Sequence, residues 1–178
     1  DLSIVIVNYN TRQLLLDCLD SIFGQAQAVS YEVIVVDNCS TDGSAEAVRA
    51  QYPQTRLLAN QANRWFTGGN NQAFAISEGR YILALNPDTV VLGNCLTQLV
   101  QQMDARPTIG MASTLQFWPD KRLLNNGSRQ VTFGYLLFQY TFLGKLLPQM
   151  LRRYRDWLWY ADWDRHFEHD TGVLPGSC

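Results

Sequence analysis

Leu2-Ser3-Ile4-Val5-Ile6-Val7 is the stretch of the chain that decides the fold, and the polar run Asn8-Tyr9-Asn10 follows it directly. A short apolar run rich in β-branched residues predicts a strand buried on both faces, as in a parallel sheet covered by helices. Asn10 or Thr11 can cap a helix after this strand. The predicted helix ends at Gly24, and its apolar residues at helical spacing are Leu14, Leu15, Cys18, Leu19, Ile22 and Phe23.

Strands and helices continue to alternate along the chain. The pattern predicts further strands over residues 32–36, 56–59 and 81–85, and further helices over residues 45–52, 71–77 and 96–103. Because this alternation implies βαβ units, we expect an α/β fold with a mainly parallel central sheet and helices on both faces. Later the alternation loosens, and the sequence predicts strands over 109–117 and 173–178 and a hairpin turn at Asn126-Gly127.

The composition bounds the class of protein. The 178 residues suit one domain, and the 47% of apolar residues exclude a chain kept disordered by charge. With 14 Lys and Arg against 16 Asp and Glu, the formal charge is −2, so we expect no nucleic-acid partner. The four cysteines form no C-x-x-C pair, which is typical of a reduced compartment and agrees with a cytoplasmic protein.

Polar runs follow three of the predicted strands at their carboxyl ends. They are Asn8-Tyr9-Asn10, Asp37-Asn38 and Asn86-Pro87-Asp88. Since open parallel sheets bind ligands outside these ends, we expect Tyr9, Asp37 and Asp88 to meet around one pyrophosphate-sized hollow. Tyr9 can offer an aromatic face to a base, and Asp37 can accept hydrogen bonds from a ribose or a pyrimidine N–H. The plainer alternatives are a packed tyrosine and an Asx-turn or helix cap.

Asn86-Pro87-Asp88 brings two oxygen-bearing side chains to one strand end. Residues at i and i+2 of an extended chain point to the same side, and the proline between them fixes the backbone. Mg²⁺ and Mn²⁺ prefer oxygen ligands, and Mg²⁺ often takes only one or two carboxylates plus substrate phosphates. Asp88 and Asn86 are therefore candidate metal ligands. The alternative is an Asn-Pro turn in which Asp88 caps the next element.

Thr67-Gly68-Gly69-Asn70-Asn71 is predicted to open a helix after a loop over residues 60–69. Its backbone N–H groups can then approach an anion or sugar hydroxyls closely. The stretch contains neither the G-x-G-x-x-G fingerprint of dinucleotide oxidoreductases nor the G-x-x-x-x-G-K-[ST] loop of P-loop NTPases. Both classes are therefore disfavoured.

Together these stretches resemble the family 2 glycosyltransferases, which have the GT-A fold, and especially the rhamnosyltransferase-like branch that builds bacterial surface polysaccharides. The resemblance is dense over residues 2–92 and sparse after them. It rests on the order and spacing of residues 3–10, 35–38, 40–44, 67–73, 85–89 and 175–178.

The resemblance implies a nucleoside-diphosphate sugar as substrate and a divalent metal, Mg²⁺ or Mn²⁺, as cofactor. The donor nucleotide would contact Asn8, Tyr9, Asn10, Asp37, Asn38, Gly68, Gly69, Asn70 and Asn86. Asn86-Pro87-Asp88 would be a variant of the family's D-x-D metal motif, with Asp88 as its charged ligand and Asn86 as the second. Trp65-Phe66 stands where the family usually has Gly-Phe, which changes the shape expected for the donor loop.

The resemblance also implies transfer with inversion, in which an acceptor hydroxyl, deprotonated by a carboxylate, displaces the nucleoside diphosphate. The base normally follows a strand like Pro175-Gly176-Ser177-Cys178, so we expect the chain to be truncated before it. The substitutes considered are Asp162, Asp164, Glu168 and Asp170. His166 and His169 give an H-x-x-H spacing suited to zinc, with a plain polar loop as the alternative.

We therefore expect one GT-A domain over residues 1–178, incomplete at its C-terminus, with a donor-binding half over 1–92 and the start of an acceptor-side half over 93–178. The expected activity is sugar transfer to a glycan or lipid-linked acceptor. Two alternatives stay open: a non-catalytic nucleotide-sugar binding or assembly module, and a sugar nucleotidyltransferase. The second normally has a Gly-rich, Arg-containing loop after its first strand, where this chain has Asn8-Tyr9-Asn10.

Residues 133–151 are apolar and aromatic, but Gln139, Lys145 and Pro148 interrupt them, so the stretch is too short and broken for a membrane-spanning helix of about 20 residues. Arginine and aromatic residues follow it directly. This pattern predicts peripheral contact of residues 133–160 with the inner face of the cell membrane, with an ordinary packed helix as the alternative. The aromatic, weakly charged composition also favours a homo-oligomer.

Overall fold

The computed structural model describes residues 1–26, 28–124, 127–164, 169–171 and 173–174, and the chain divides into two compact units, residues 1–111 and 112–176. Within the described residues, the strands of the first unit are β1 (Leu2–Asn8), β2 (Tyr31–Asp37), β3 (Arg56–Ala59) and β4 (Tyr81–Leu85). Its helices are α1 (Arg12–Phe23), α2 (Ser44–Gln51), α3 (Trp65–Phe74) and α4 (Cys95–Ala105). The helices of the second unit are α5 (Phe133–Tyr140), α6 (Leu143–Leu146) and α7 (Pro148–Leu158).

The strands form one parallel sheet in the order β3-β2-β1-β4. β1 lies between β2 and β4, with Asn8 level with Asp37 and Ile6 level with Leu85. Because all four strands run in the same direction, their carboxyl ends lie at one edge of the sheet. The predicted α/β fold with a parallel central sheet is confirmed.

Helices cover both faces of the sheet, as predicted. On one face β1 packs against α1, α2 and α4, whose buried residues there are Leu15, Leu16, Cys18, Leu19, Ile22, Ala47, Val48, Leu96 and Val100. On the other face a smaller cluster joins Val5, Ile34 and Val36 to Ala73 of α3. The continuous apolar run over residues 4–7 of β1 follows from this arrangement, because its alternate side chains enter the two clusters.

The predicted element boundaries mostly agree with the structure. β3 and β4 have the predicted bounds, and α1 begins directly after Thr11 and ends before Gly24. The backbone N–H of Gly24 donates to the carbonyl of Asp20, which closes the last turn of α1. These elements were predictable because local periodicity and local end signals agree.

The start predicted for the third helix is wrong, because α3 begins at Trp65 and ends at Phe74 rather than spanning residues 71–77. Two adjacent glycines favoured a loop, since glycine in a helix interior costs about 1 kcal/mol relative to alanine. Gly69 nevertheless lies inside the helix, and a Cβ at this position would come within 2.8 Å of Cγ1 of Val7. Glycine is therefore required here by the close approach of α3 to β1.

The strand predicted over residues 109–117 is also wrong. Among the described residues, this segment takes part only in a single bridge between Phe117 and Leu123, and Met111 is exposed. A β-prone sequence needs a partner for its backbone groups, and this segment has no neighbouring strand in the described part of the chain. Val173 forms one bridge to Ser128, whereas Asn126 of the predicted turn and residues 175–178 lie outside the described residues.

The second unit is built from short helices. The Thr132 hydroxyl caps α5 by accepting the backbone N–H of Tyr135, and Pro148 occupies the first turn of α7. α5 and α7 pack through the stacked rings of Phe138 and Tyr154, whose centroids are 5.5 Å apart. Across the described ranges, no helix combines the length and the apolar character that a membrane span needs.

Candidate functional site

The strand order creates a topological switch point between β1 and β4. From β1 the chain moves to β2 and β3 on one side and then returns to β4 on the other side of β1. Ligands of open α/β sheets bind outside the carboxyl ends of the strands at such a point, because the connecting loops diverge there and leave a crevice. The residues that follow β1, β2 and β4 are therefore the candidate site.

A buried hydrogen-bond network joins the ends of β1 and β2. Asn8 is fully buried, and its Nδ2 donates to Oδ1 of Asp37 at 2.8 Å and to Oγ of Ser40 at 3.1 Å. Oδ1 of Asn8 accepts a 2.6 Å bond from the hydroxyl of Thr11. The backbone N–H of Ser40 donates to Oδ2 of Asp37 at 2.9 Å. Neutral donors thus hold both oxygens of Asp37, each of which keeps a second lone pair.

Tyr9 and Asn10 follow this network at the surface. Tyr9 is half-exposed. Asn10 adopts a left-handed backbone conformation with φ of 54°, which asparagine tolerates better than most residues. Its Oδ1 accepts the backbone N–H of Thr41 at 2.8 Å, and its own N–H donates to Oγ of Ser40 at 2.9 Å. The backbone beside Tyr9 is therefore fixed, while its ring stays accessible.

Asp42 links the starts of α1 and α2 behind the strand ends. Its carboxylate accepts the backbone N–H of Arg12 at 2.8 Å and that of Ser44 at 3.0 Å. Burial alone would raise the pKa of Asp42, but the hydrogen bonds from the Ser44 hydroxyl and from these N–H groups lower the pKa below its usual value. Asp42 therefore caps both helices by accepting an N–H group at the start of each one.

An amide cluster, formed by Asn38, Asn60 and Gln72, holds the start of α3 against β2. Oδ1 of Asn38 accepts Nδ2 of Asn60 at 3.0 Å, and Nδ2 of Asn38 donates to the carbonyl oxygen of Trp65 at 3.2 Å. Asn60 and Gln72 exchange two bonds of 2.8 and 3.0 Å. The sequence reasoning missed Asn60 and Gln72. Asn60 directly follows β3. The polar runs at the ends of β1, β2 and β4 were considered, and the same rule applied to β3 would have found Asn60.

Gly68, Gly69 and Asn70 lie inside α3 rather than at its opening. Asn70 is buried, and its Nδ2 donates to the carbonyl oxygen of Phe66 at 2.9 Å. The residues that α3 exposes at its start are Trp65, 77% exposed, and Phe66, 55% exposed. This part of the edge is therefore more aromatic than the glycine-rich sequence suggested.

Asn86 and Asp88 follow β4 on the other side of β1. Asn86 is half-buried, and its carbonyl oxygen lies 3.9 Å from Sγ of Cys18, whereas Asp88 is exposed. Burial of Cys18, with a smaller contribution from the negative charge of Asp88, raises the pKa of this thiol to about 12. The Asp88 carboxylate therefore lies near α1 at the switch point.

The oxygen donors after β4 fit a hard divalent cation. Asp88 offers a solvent-accessible carboxylate, which forms no ion pair within the described ranges, and Asn86 offers an amide oxygen. The described residues contain no group of three or more His, Cys, Asp or Glu side chains that could hold a metal ion by themselves. A cation here would need further oxygen ligands, as Mg²⁺ does when it binds substrate phosphates.

His169, the second histidine of the H-x-x-H pair, makes contacts that do not favour a zinc site. Nε2 of His169 lies 2.7 Å from the carbonyl oxygen of Asp164, and its ring stacks on Trp163 with centroids 4.3 Å apart. His169 is exposed, and these contacts account for its ring without a metal. His166 and Glu168 lie outside the described residues.

A cavity of about 230 Å³ lies at the opposite, amino-terminal edge of the sheet, where Asp1, Glu32 and Gly79 are among its lining residues. Glu32 accepts a bond of 2.6 Å from Ser3 and pairs with Arg56 at 3.0 Å. The charge at this cavity is therefore balanced within the protein. We place the candidate site at the carboxyl edge instead, because the switch point and the unpaired carboxylates lie there.

A parallel sheet with polar side chains at its switch point defines a class of α/β proteins that bind nucleotides, and solved structures assign this chain to the nucleotide-diphospho-sugar transferase, or GT-A, type of fold. The chain belongs to Glycosyl transferase family 2, whose profile matches residues 3–159. The resemblance inferred from the motifs is therefore confirmed at the level of the family.

Individual relatives agree with this assignment. The chain is 32% identical over 106 residues to the succinoglycan biosynthesis protein ExoO of Rhizobium meliloti, an alignment that covers 59% of this chain and 30% of ExoO. It superimposes on the mannosyltransferase PcManGT of Pyrobaculum calidifontis, solved with GDP-Man and Mn²⁺, with a TM-score of 0.58 at 26% identity, over 67% of this chain and 36% of that one. The S. aureus TarS structure with UDP-GlcNAc gives a TM-score of 0.58 at 20% identity, over 77% and 38%. The chain thus spans about a third of the length of these relatives.

Proposed function

We propose that this chain forms the donor-binding part of a glycosyltransferase that transfers a sugar, with inversion, from a nucleoside-diphosphate sugar to an acceptor hydroxyl during bacterial polysaccharide synthesis. One observation carries the proposal: in a family 2 domain, Asp37 and Asp88 lie at the carboxyl ends of the two strands that flank β1, without ion pairs among the described residues. ExoO, a succinoglycan biosynthesis protein, and PcManGT, solved with GDP-Man, support this choice of reaction and substrate.

On the β2 side of the site, we assign the nucleoside to Tyr9 and Asp37. The ring of Tyr9 is accessible at the strand end, and each Asp37 oxygen has one lone pair left for a base or ribose donor. Asn8 and Asn38 are buried with their amides bonded to protein groups, so both would act by positioning their neighbours. Asn10 would likewise fix the backbone that carries Tyr9.

On the β4 side, Asp88 and Asn86 would hold Mg²⁺ or Mn²⁺ together with the diphosphate. The bound cation would neutralise the charge that develops on the leaving diphosphate. Gly69 would serve the site indirectly, because its close contact with Val7 sets how near α3 lies to β1. Gly68 and Asn70 would contribute through the same helix.

Transfer with inversion also includes a proton transfer, which is separate from donor binding. The acceptor oxygen bonds to the anomeric carbon on one face while the bond to the diphosphate oxygen breaks on the other, and a base takes the hydroxyl proton. The donor-site residues bind and orient the diphosphate. We assign none of them to that proton transfer.

Titration calorimetry with UDP, dTDP and GDP, each with and without Mn²⁺, tests the proposal. We expect binding that requires Mn²⁺ and that weakens at least about 10-fold in Asp88→Ala, since this change removes the charged ligand. Asp104→Asn is the matched control, because Asp104 is an exposed acid at the opposite edge, paired with Arg80 at 2.8 Å. If the chain binds none of the nucleotides, or if Asp88→Ala binds as tightly as the wild type, the proposal is wrong.

The two other candidate functions predict different results in the same assay. A sugar nucleotidyltransferase would bind nucleoside triphosphates and release pyrophosphate in the presence of a sugar phosphate. A non-catalytic binding module would bind the nucleotide sugar, and the full-length protein would hydrolyse or transfer none of it. Metal-dependent diphosphate binding together with turnover by the full-length protein supports the transferase.

We further propose that residues 133–160 contact an anionic membrane surface, where a lipid-linked acceptor would lie. Phe133 is 79% exposed and Phe142 is 68% exposed, and α7 presents the exposed residues Arg152, Arg153 and Arg155. Apolar side chains beside arginines match the chemistry of an anionic lipid interface. This contact would place the protein at the inner face of the cell membrane, and a homo-oligomer through the same residues is the competing explanation.

Co-sedimentation with vesicles checks the membrane contact. We expect binding to vesicles that contain phosphatidylglycerol, weaker binding to purely zwitterionic vesicles, and loss of binding in the double variant Phe133→Ser, Phe142→Ser. Equal sedimentation of the variant and the wild type would contradict the proposal. Sedimentation velocity without lipid measures the alternative, because an oligomer would fall to a monomer in the same variant.

A further inference from the structure

Trp65 has a backbone conformation that its residue type disfavours. Its φ is +60°, in the left-handed region, where a bulky L-residue is an outlier. Such conformations persist only where the surrounding structure enforces them, and they concentrate at functional sites. The first residue of α3 is therefore the strained position of the donor loop.

The ring of Trp65 is mostly exposed to solvent, so packing does not offset the strain of its backbone. The residue is 77% exposed, the next residue, Phe66, is 55% exposed, and no aromatic or cation–π contact within the described ranges involves Trp65. A buried tryptophan removes a large apolar area from water, and this one does not. Packing within the described residues therefore does not explain why tryptophan stands at this position.

Two hydrogen bonds hold the backbone of Trp65 in this conformation, and one of them comes from a residue of the candidate site. The backbone N–H of Trp65 donates to Oδ1 of Asn63 at 2.7 Å, and its carbonyl oxygen accepts Nδ2 of Asn38 at 3.2 Å. Asn38 directly follows Asp37 and is itself fixed by Asn60. The exposed indole is thus anchored, through its own backbone, to the strand end to which we assign the nucleoside.

We propose that Trp65 supplies an aromatic face on which the base of the nucleoside diphosphate stacks. The inference rests on the proposed function, because the planar partner is the base of the donor nucleotide. Stacking depends on the π-face that every base has, so Trp65 would raise the affinity for all nucleoside diphosphates. The choice between bases would remain with groups that hydrogen-bond their edges, such as Asp37.

Calorimetry with UDP and with inorganic pyrophosphate, both in the presence of Mn²⁺, separates stacking from a structural role. Stacking on an aromatic side chain contributes enough that Trp65→Gly should weaken UDP binding by about 5- to 150-fold. Pyrophosphate has no base, so its affinity should not change. Trp65→Phe should retain most of the UDP affinity. The melting temperature of Trp65→Gly should not fall, since glycine adopts this φ without strain.

Three outcomes would contradict the stacking role of Trp65 or the proposed function. If Trp65→Gly binds UDP as the wild type does, or loses UDP and pyrophosphate equally, Trp65 is not a stacking residue. Trp65→Asn repeats the test with a residue that tolerates left-handed φ, in case glycine loosens the loop. If the wild type binds neither UDP nor pyrophosphate, the proposed function fails, and this inference fails with it.

Discussion

The two edges of the sheet both carry acidic residues, but in the described part of the chain only the amino edge pairs them with cations. At the amino edge, Arg56 lies 3.0 Å from Glu32, and Arg80 lies 2.8 Å from Asp104. Burial alone would raise the pKa of Glu32, but the hydrogen bonds from Ser3, from the Glu78 N–H and from Arg56 lower the pKa below its usual value. The acids Glu32 and Asp104 of the amino edge are therefore paired with arginines of the protein itself.

At the carboxyl edge, the acids are held without such partners. Asp37 accepts its bonds from the amide of Asn8 and the N–H of Ser40, which carry no charge, and Asp88 is exposed. Within the described residues, neither acid forms an ion pair. Both edges carry polar residues, so their number does not distinguish the two edges. Within the described part of the chain, the difference is negative charge without an ion pair at the switch point, which makes the carboxyl edge the candidate site for a cation and its anionic partner.

The largest effect on stability is expected at Asp37. Asp37→Ala leaves one N–H of the buried Asn8 amide and the half-buried N–H of Ser40 without their acceptor, and each orphaned donor costs about 1–3 kcal/mol. We expect a loss of about 3 kcal/mol in the free energy of unfolding, measured by urea denaturation. Glu78→Ala at the amino edge, where the side chain is 82% exposed and pairs with Arg56, should cost less than half as much. A smaller loss for Asp37→Ala than for Glu78→Ala would contradict the comparison.

One glycine at each edge allows the same comparison with a smaller expected effect on stability. A Cβ at Gly79, on the amino edge, would lie 2.5 Å from the backbone nitrogen of Ser3, whereas at Gly69 it would lie 2.8 Å from a Val7 methyl. Backbone yields less than a side chain, so Gly79→Ala should cost about 2 kcal/mol and Gly69→Ala about 1 kcal/mol after the gain in helix propensity. Only Gly69→Ala should also weaken nucleotide binding, which calorimetry on both variants measures.

Alkaline pH should destabilise the first unit through two buried groups. Burial raises the pKa of the Cys18 thiol to about 12, and burial together with the bond to Asp20 raises the pKa of the Tyr52 hydroxyl to about 12. Both groups stay protonated in the folded protein and ionise more easily when unfolded. Their stabilising contribution is therefore complete below about pH 9 and is lost as the pH rises toward 12.

Thermal melts between pH 8 and 11.5 check this expectation. Cys18→Ala removes the thiol, so its melting temperature should fall less steeply with pH than that of the wild type, although it starts lower because a buried side chain has been shortened. Parallel curves for the two proteins would show that Cys18 does not contribute.

The smallest effect is expected for the exposed ion pairs of the amino edge. Arg56→Met should cost at most about 1 kcal/mol, because the pair with Glu32 is accessible to solvent. The difference should shrink in 1 M NaCl, where such charges are screened. Denaturation at two salt concentrations measures it, and a cost above 2 kcal/mol that does not depend on salt would show that the amino edge is not the exposed ion-pair cluster described here.

The sequence predicted the sheet, and with it the edge that carries the candidate site, because those features depend on local patterns. Strand β1 is recognisable from the continuous apolar run over residues 4–7, and parallel strands bring their carboxyl ends together whatever the loops contain. Asp37 and Asp88 were found by that rule alone. Their assignment to nucleotide and metal stays a prediction.

What could not be predicted depends on contacts between distant segments. Gly69 looked like a helix breaker, and only the contact with Val7 explains it. The bond from Asn38 to the Trp65 carbonyl joins residues 27 positions apart, and no local pattern indicates it. Residues 109–117 have a strand-like sequence, but a strand also requires a partner. In each case tertiary structure overrides local propensity.

The most direct test of the central claim is a crystal structure with UDP and Mn²⁺, in which anomalous diffraction at the manganese edge locates the metal. The account predicts a manganese peak within coordination distance of the Asp88 carboxylate and the diphosphate, with the nucleoside beside Tyr9 and Asp37. A metal peak away from Asp88, or a nucleotide bound at the amino edge beside Glu32, would contradict it.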